Sequence, residues 1–144
     1  MDTDPRNALL EVRQYNGEFS IRQQWSNRKL KSKFSSVVVH EGYVYGLDGT
    51  ILTCIELNTG NRQWKGGRYG YGQLILVGSL LLIQLESGEV ALVKAWPHSH
   101  REVARFAALN DRTWNHPVMA GGLLLVRNDR EAACYQLRVK EPAL

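Results

Sequence analysis

The feature that most constrains the fold is a strand–turn–strand–turn–strand pattern that occurs three times in the 144-residue chain. The three copies share the same order of short apolar runs and of Gly-, Asn- or Asp-containing turns: 34–57, 71–95 and 115–137. Their third strands are predicted to begin at Ile51, Glu89 and Glu131, which are 38 and 42 positions apart. A fourth strand is predicted after the third, as at 61–67. Four short strands per unit and a period of about 40 residues are typical of a β-propeller blade.

A leading strand at 8–17 precedes the three units, which brings the total to about thirteen strands. Helical periodicity is confined to 101–110, where Val103 and Phe106 fit a strand equally well. The sequence therefore predicts an all-β β-propeller of four-stranded antiparallel blades, with about three blades plus one leading strand. Since propellers typically have four to eight blades, we expect a partial propeller, either part of a larger ring or completed by oligomerisation.

The division of the chain follows from the repeat. We predict a disordered N-terminal segment at 1–7, a three-blade propeller segment at 8–139 and a C-terminal tail at 140–144. The longest apolar run, 73–85, is shorter than the roughly 20 residues of a spanning helix, so we expect no transmembrane segment. The first residues also lack the pattern of a signal peptide, and the compartment stays open on these grounds.

The stretch Ile51–Gly67 contains the most legible turn. Asn58, Thr59 and Gly60 predict a tight reversal, because glycine adopts positive φ freely. We predict that the strand after this turn leaves one blade and becomes the innermost strand of the next, with Trp64 packing between the two blades. Trp25 occupies the matching place in the preceding unit.

The charge of the chain is mildly basic, with a net charge of +4 and a pI of about 9.2. Five of the basic residues and no acidic residue lie within 22–36. Such a patch fits either phosphate contacts or a solvated strand and turn. We favour the solvated strand and expect no nucleic-acid partner, because no nucleic-acid-binding motif accompanies the patch.

The residues Leu57, Thr59, Gly60 and Trp64 match the quinoprotein-type repeat, in which a Thr-Gly turn precedes a tryptophan. From 9 to 139 the chain resembles the C-terminal part of PQQ-like β-propellers, a family that includes outer-membrane-assembly lipoproteins. The resemblance implies a periplasmic or cell-envelope location. For the quinone enzymes of this fold it also implies an adjacent-cysteine disulfide, a tryptophan floor, a calcium site and a catalytic aspartate, none of which can be placed in this sequence.

The residues that most often carry chemistry have ordinary structural interpretations here. Cys54 and Cys134 fall at the same position of the third strand in two blades, so we predict two small buried hydrophobic residues without a disulfide. His98 and His100 would share a face, as a metal pair requires, only on a strand. We therefore assign no catalytic residue and no metal ligand.

A ligand on the propeller axis would meet the residues near the inner strands. The candidates for such a funnel are Arg68, Tyr69, Tyr71, Trp114 and His116. For His116, which precedes a proline, a role in strand entry is the alternative.

The predicted function is a non-catalytic propeller repeat module that acts as a protein- or ligand-binding scaffold without a cofactor. Two alternatives stay open. The first is a fragment of a dehydrogenase that uses PQQ with calcium. The second is a half-propeller whose main partner is another copy of itself.

Overall fold

The computed structural model describes residues 7–137, which form thirteen β-strands and no helix. The strands are β1 (Asn7–Tyr15), β2 (Glu18–Asn27), β3 (Val38–His40), β4 (Tyr43–Asp48), β5 (Ile51–Glu56), β6 (Arg62–Arg68), β7 (Gln73–Val77), β8 (Leu80–Gln84), β9 (Glu89–Lys94), β10 (Glu102–Ala107), β11 (Val118–Ala120), β12 (Leu123–Arg127) and β13 (Ala132–Gln136). The predicted segments 1–7 and 140–144 lie outside the described residues, except Asn7, so the proposed domain bounds stay predictions.

The strands form four antiparallel sheets in chain order: the β1–β2 hairpin, β3–β6, β7–β10 and β11–β13. The predicted all-β propeller class is confirmed, and the sheets are open, as in a partial propeller. The first strands of the sheets lie together. β3 contacts β7, and Ile75 of β7 packs in the same cluster as Met119 of β11. The first strand is therefore the inner one of each sheet, and β6 and β10 form outer edges.

The prediction that the strand after Gly60 starts the next blade is wrong. β6 pairs with β5 of its own sheet, with Cys54 opposite Trp64. The reason is the tightness of the turn: the Gly60 N–H donates to the Glu56 carbonyl (2.9 Å), and the Glu56 N–H donates to Asn61 (2.8 Å). These hydrogen bonds return the chain antiparallel to β5, whereas the connection 69–72 crosses to the next sheet. The leading strand β1 likewise pairs with β2 in a hairpin of its own.

The core lies between the sheets. We call the side of a sheet that looks toward the next sheet its leading face, and the opposite side its trailing face. On the leading face of β3–β6, Tyr45 and Cys54 pack with Leu81 and Ile83 on the trailing face of β7–β10. The same stacking repeats one sheet later, where Leu82 packs in one cluster with Leu124 and Val126 of β12.

The predicted role of Trp64 between neighbouring blades is confirmed, and it is a repeated device. Trp64 packs on the core between the first two four-stranded sheets, and its Nε1 donates to the Trp96 carbonyl (2.8 Å). Trp25 of the hairpin donates in the same way to the Leu57 carbonyl (2.8 Å). A Cβ at Gly60 would lie 2.8 Å from the Trp25 ring, so this docking requires glycine. The β1–β2 hairpin thus docks on the next sheet as the outer two strands of a blade.

The two cysteines occupy equivalent positions, as predicted, but only one is buried. Cys54 pairs with Tyr45 and Cys134 pairs with Leu125. Both thiols are free, Cys54 is buried and Cys134 is exposed. The prediction of two buried cysteines is therefore wrong for Cys134, because no following sheet covers the leading face of β11–β13 within residues 7–137.

Candidate functional site

Strands alternate in direction, so the connections between sheets all lie at one edge of the structure, together with the turns between second and third strands. We call this the connection edge. It carries the connections 28–37, 69–72 and 108–117 and the turns that follow β4, β8 and β12. The five sequence-predicted candidates lie in these connections or directly beside them.

Glu86, in the turn after β8, joins two of the connections. Its Oε1 accepts a hydrogen bond from Nε1 of Trp114 (2.8 Å), and its Oε2 accepts one from the backbone N–H of Tyr71 (3.2 Å). Its backbone carbonyl accepts from the Thr113 N–H (2.9 Å). A Cβ at Gly70 would lie only 2.7 Å from Oε2, so glycine at this positive φ admits the carboxylate. Glu86 therefore holds Tyr71 and Trp114 in one arrangement.

Aromatic and cationic side chains surround this carboxylate. The Phe34 ring meets the Tyr71 ring edge to face, with centroids 6.2 Å apart, and Nζ of Lys33 lies 5.6 Å from the Tyr71 centroid. The Arg112 guanidinium lies 5.1 Å from the Trp114 ring centroid. Phe34 and Trp114 nevertheless stay 77% and 55% exposed.

We call this group the Glu86 patch: Lys33, Phe34, Tyr71, Glu86, Arg112 and Trp114. Its members come from three connections and a turn, and only Tyr71 and Trp114 were predicted from the sequence.

Tyr69 plays a different part, because it is buried between two sheets. Its hydroxyl lies 2.8 Å from Nε2 of His100 and donates to Oε2 of Glu102 (2.9 Å). Arg105 donates to both Glu102 oxygens, at 2.7 and 2.8 Å. A Cβ at Gly67 would lie 2.6 Å from both the His100 and Tyr69 rings, so the Gly66–Gly67 pair makes room for them. This network fastens the connection 69–72 to β10.

The electrostatics of this network agree with a structural role. Burial raises the pKa of the Tyr69 hydroxyl. The hydrogen bonds from Arg105 lower the pKa of the Glu102 carboxyl, and the same pairing raises the pKa of Arg105. Tyr69 therefore stays a neutral phenol, and Glu102 and Arg105 stay an ion pair. None of these shifts brings a pKa close to neutral pH, as proton transfer at neutral pH would require.

Arg68 ends β6 and is exposed at the mouth of a cavity of about 530 Å³ on the connection edge. The lining is of mixed charge, with Glu86, Arg105 and Arg112 among its residues. A cavity of about 470 Å³ on the other side of Arg112 includes Trp114. Arg112 lines both cavities, so the Glu86 patch lies between two recesses of the surface.

His116 does not join the other four predicted residues. It is exposed and lines a separate cavity of about 410 Å³ with Val118, Leu125 and Cys134, on the open leading face of the last sheet. The sequence missed Lys33, Phe34, Glu86 and Arg112. The signal available was an aromatic or basic residue in each connection, but nothing in the sequence showed that Glu86 would bring them together.

The remaining candidate groups have ordinary partners. His98 packs on the Trp96 ring (centroids 4.9 Å apart), whereas His100 points to Tyr69, so the two histidines face different surroundings. Within residues 7–137 no group of three or more His, Cys, Asp or Glu side chains could hold a metal ion. The same residues contain no helix long and apolar enough to cross a membrane.

Comparison with known proteins gives a fold. No protein-family model and no curated protein matches the chain. The crystal structure of BamB from Moraxella catarrhalis matches with a TM-score of 0.59 and 15% identity, over 78% of this chain and 33% of that one. The computationally designed Ika4 protein matches with a TM-score of 0.41 and 7% identity, over 76% of this chain and 96% of that one. The likeness to BamB shows a propeller-type fold, and the chain spans about a third of that protein's length.

Proposed function

We propose that the chain is a non-catalytic β-propeller module that binds a protein ligand through the Glu86 patch. The observation that carries this proposal is a set of exposed aromatic and cationic side chains that is already held in place. Trp, Tyr and Arg are the residues enriched at the energetic centres of protein interfaces. Because Glu86 fixes Trp114 and Tyr71 before any ligand arrives, little conformational freedom is lost on binding.

The charges of the patch indicate the chemistry of the ligand. Lys33 and Arg112 lie over aromatic rings, and Arg68 is exposed at the neighbouring cavity. The Glu86 carboxylate, by contrast, is engaged by Trp114 and Tyr71. We therefore expect a peptide segment that combines carboxylates with an apolar or aromatic side chain, since this pairs with both the cations and the rings.

Selection from a random peptide library displayed on phage tests this proposal. Acidic peptides with an aromatic residue are expected to be enriched, and Trp114→Ala and Arg112→Ala are expected to weaken their binding about tenfold or more. The matched control is Phe19→Ala, which removes another exposed aromatic ring, from the β1–β2 hairpin. Peptides that bind wild type and both patch variants equally would contradict the proposal.

The alternative of a PQQ-dependent dehydrogenase finds poor support in the described residues. Cys54 and Cys134 lie in different sheets and are both free, so they do not form the disulfide of adjacent cysteines that the resemblance implies. The donor set for calcium does not fit either, because residues 7–137 contain no group of three or more His, Cys, Asp or Glu side chains placed to hold a metal ion. Cofactor absorbance and alcohol oxidation after reconstitution with PQQ and calcium would overturn our non-catalytic assignment.

A second candidate function is a half-propeller completed by another copy of the chain. The observation that favours it is the open leading face of the last sheet, where Val118, Leu123 and Leu125 are about half exposed. In the preceding sheets the equivalent face is buried, and exposed apolar faces of this kind often mark interfaces. A monomer mass by light scattering at micromolar concentration would rule this candidate out.

We also propose membership of the PQQ-like propellers, supported by the Leu57, Thr59, Gly60 and Trp64 pattern and by the propeller fold. With it we propose a periplasmic or cell-envelope location. Fractionation of cells that express the natural gene tests this location, and recovery of the protein only in the cytoplasm would contradict it.

A further inference from the structure

One position of the repeat is exposed in the first four-stranded sheet and packed in the two sheets that follow. Val39, Leu76 and Met119 each pair with an equivalent second-strand residue. Leu76 and Met119 pack in the cores that their sheets share with the preceding sheet. Val39 is 51% exposed, because the preceding sheet in the described chain is only the β1–β2 hairpin.

A groove runs between the hairpin and the trailing face of β3–β6. It encloses about 340 Å³, and its lining is mostly apolar: Leu9, Trp25, Val37, Val39, Val44 and Ile55. Leu30 of the connection 28–37 reaches over one end and is buried there. The hairpin therefore covers the outer half of this sheet face and leaves the inner half as a groove.

The edge of β1 that adjoins this groove lacks a neighbouring strand. Within residues 7–137, β1 pairs with β2 alone, whereas the equivalent β5 has β6 on one side and β4 on the other. The equivalence is close, because both hairpins break register at the same point, after Leu9 in β1 and after Cys54 in β5. Asn7 lines the groove, and its buried Nδ2 has no hydrogen-bond partner in the described part of the chain. An unpaired strand edge is a template for a further strand. A buried donor without a partner is rare in folded proteins and agrees with a missing neighbour at this place.

We propose that this groove is an acceptor site for a two-stranded apolar hairpin of a separate polypeptide, which pairs antiparallel with β1. The internal repeat shows the form of the occupant. The β3–β4 hairpin lies next to β5, and its Val38, Tyr43 and Tyr45 pack in one core with Leu76 and Leu81 of the following sheet. In the groove, Val39 and Val44 occupy the positions that are equivalent to Leu76 and Leu81. The occupant is therefore a β-hairpin with alternating apolar residues, a known mode of β-augmentation.

Charge further specifies the occupant. The connection 28–37, which borders the groove, carries Lys29, Lys31 and Lys33 and no acidic residue. The β3–β4 hairpin ends at this edge on Asp48, whose carboxylate accepts from the Lys31 backbone N–H (2.9 Å) and bonds Lys65. A carboxylate at the same end of the occupant's second strand would meet this basic connection.

The last sheet of a second copy is a poorer occupant. Its open edge is β13, which is a third strand like β1, so both run in the same direction through their blades. In the register of a propeller blade, β13 would meet β1 parallel, whereas every strand pair within residues 7–137 is antiparallel. This site is also separate from the Glu86 patch, so the present proposal does not rest on the proposed function.

The test uses the whole chain and a synthetic peptide of residues 36–48, labelled with fluorescein, as the probe. Fluorescence anisotropy is expected to show saturable binding. A peptide that carries Tyr43→Ser and Tyr45→Ser is expected to bind about tenfold more weakly or worse. In the protein, Val39→Asp is expected to weaken binding similarly. Its matched control, Ile21→Asp, lies on an exposed part of β2, which the occupant does not pair with, outside the groove lining, and is expected to have no effect.

Hydrogen exchange supplies a second measurement that does not depend on a variant. Binding of the peptide is expected to slow the exchange of amides in β1, while amides of the connection 108–117 stay unchanged. Equal binding of the two peptides, or no loss with Val39→Asp in a folded protein, would overturn the proposal. A dimer whose β1 amides are protected without peptide would overturn it as well, because the groove would then be an interface between copies.

Discussion

Cys54 and Cys134 occupy the same place in two sheets of one molecule and meet opposite surroundings. Each lies on the third strand and on the leading face, opposite Tyr45 or Leu125. Cys54 is fully buried under the sheet β7–β10, and Cys134 is exposed on the last described sheet. The strand, the register and the residue type are the same, so the burial of a residue in this fold is decided by the sheet that follows its own. The same holds for Leu82 and Leu125, which are equivalent to each other and are 0% and 49% exposed.

The largest expected effect separates these two leucines. Leu82→Ala is expected to lower the free energy of unfolding by about 2–5 kcal/mol, because it leaves a cavity between two packed sheets. Leu125→Ala is expected to cost about 0.5 kcal/mol or less, because its side chain is half exposed. Urea denaturation of both variants measures the difference. Equal losses would show that the leading face of the last sheet is covered in solution.

The two thiols give a chemical form of the same comparison. Burial raises the pKa of the Cys54 thiol to about 11, which leaves little reactive thiolate at neutral pH. We expect Cys54 to react with a disulfide reagent on the order of 100-fold more slowly than the exposed Cys134. The reagent thiol that is released as each cysteine of the native protein reacts, followed over time, measures both rates. Cys134→Ser should remove only the fast phase. Two slow thiols in native protein would contradict this expectation.

The tryptophan hydrogen bonds test whether the hairpin docks as firmly as a complete blade. Trp64→Phe and Trp25→Phe each remove one N–H donor to a carbonyl of the next sheet. Each is expected to lower the free energy of unfolding by about 1 kcal/mol, the usual contribution of such a bond. Thermal or urea unfolding of the two variants side by side measures this. A cost for Trp64→Phe alone would mean that the hairpin is not held in solution as Trp25 indicates.

The smallest expected effect concerns the hydrogen-bond network of Tyr69, His100, Glu102 and Arg105. The pKa of Glu102 is lowered in the folded protein by Arg105, so its contribution to stability is present above the ordinary carboxyl value near 4.5. That contribution is lost as the pH falls through the lowered folded value. Glu102→Gln is therefore expected to cost less than about 1 kcal/mol at pH 7. Unfolding curves from pH 7 to pH 3 should show the variant and wild type converging in acid, and a constant difference would contradict the assignment.

Much of the fold could be predicted from the sequence, because strands of alternating apolar residues and glycine turns are local signals. The three copies, their turns and the packing role of Trp64 all came from such signals. The allocation of β6 to its own sheet did not, since a strand that follows a turn can pair back or cross over. The site was predictable only in part: Tyr71 and Trp114 were identified from their place in the connections, whereas Glu86 resembled any acidic residue beside a turn.

By itself the sequence determined an all-β repeat with tryptophans set to pack on the next unit. It did so because periodicity, turn residues and large apolar side chains act through near neighbours in the chain. Only the tertiary structure decided that Cys54 is buried and Cys134 exposed, that Glu86 joins two connections, and that the inner half of one sheet face is a groove. These features depend on groups tens of residues apart that meet only when the sheets stack, and stacking covers a face only where another sheet lies beyond it.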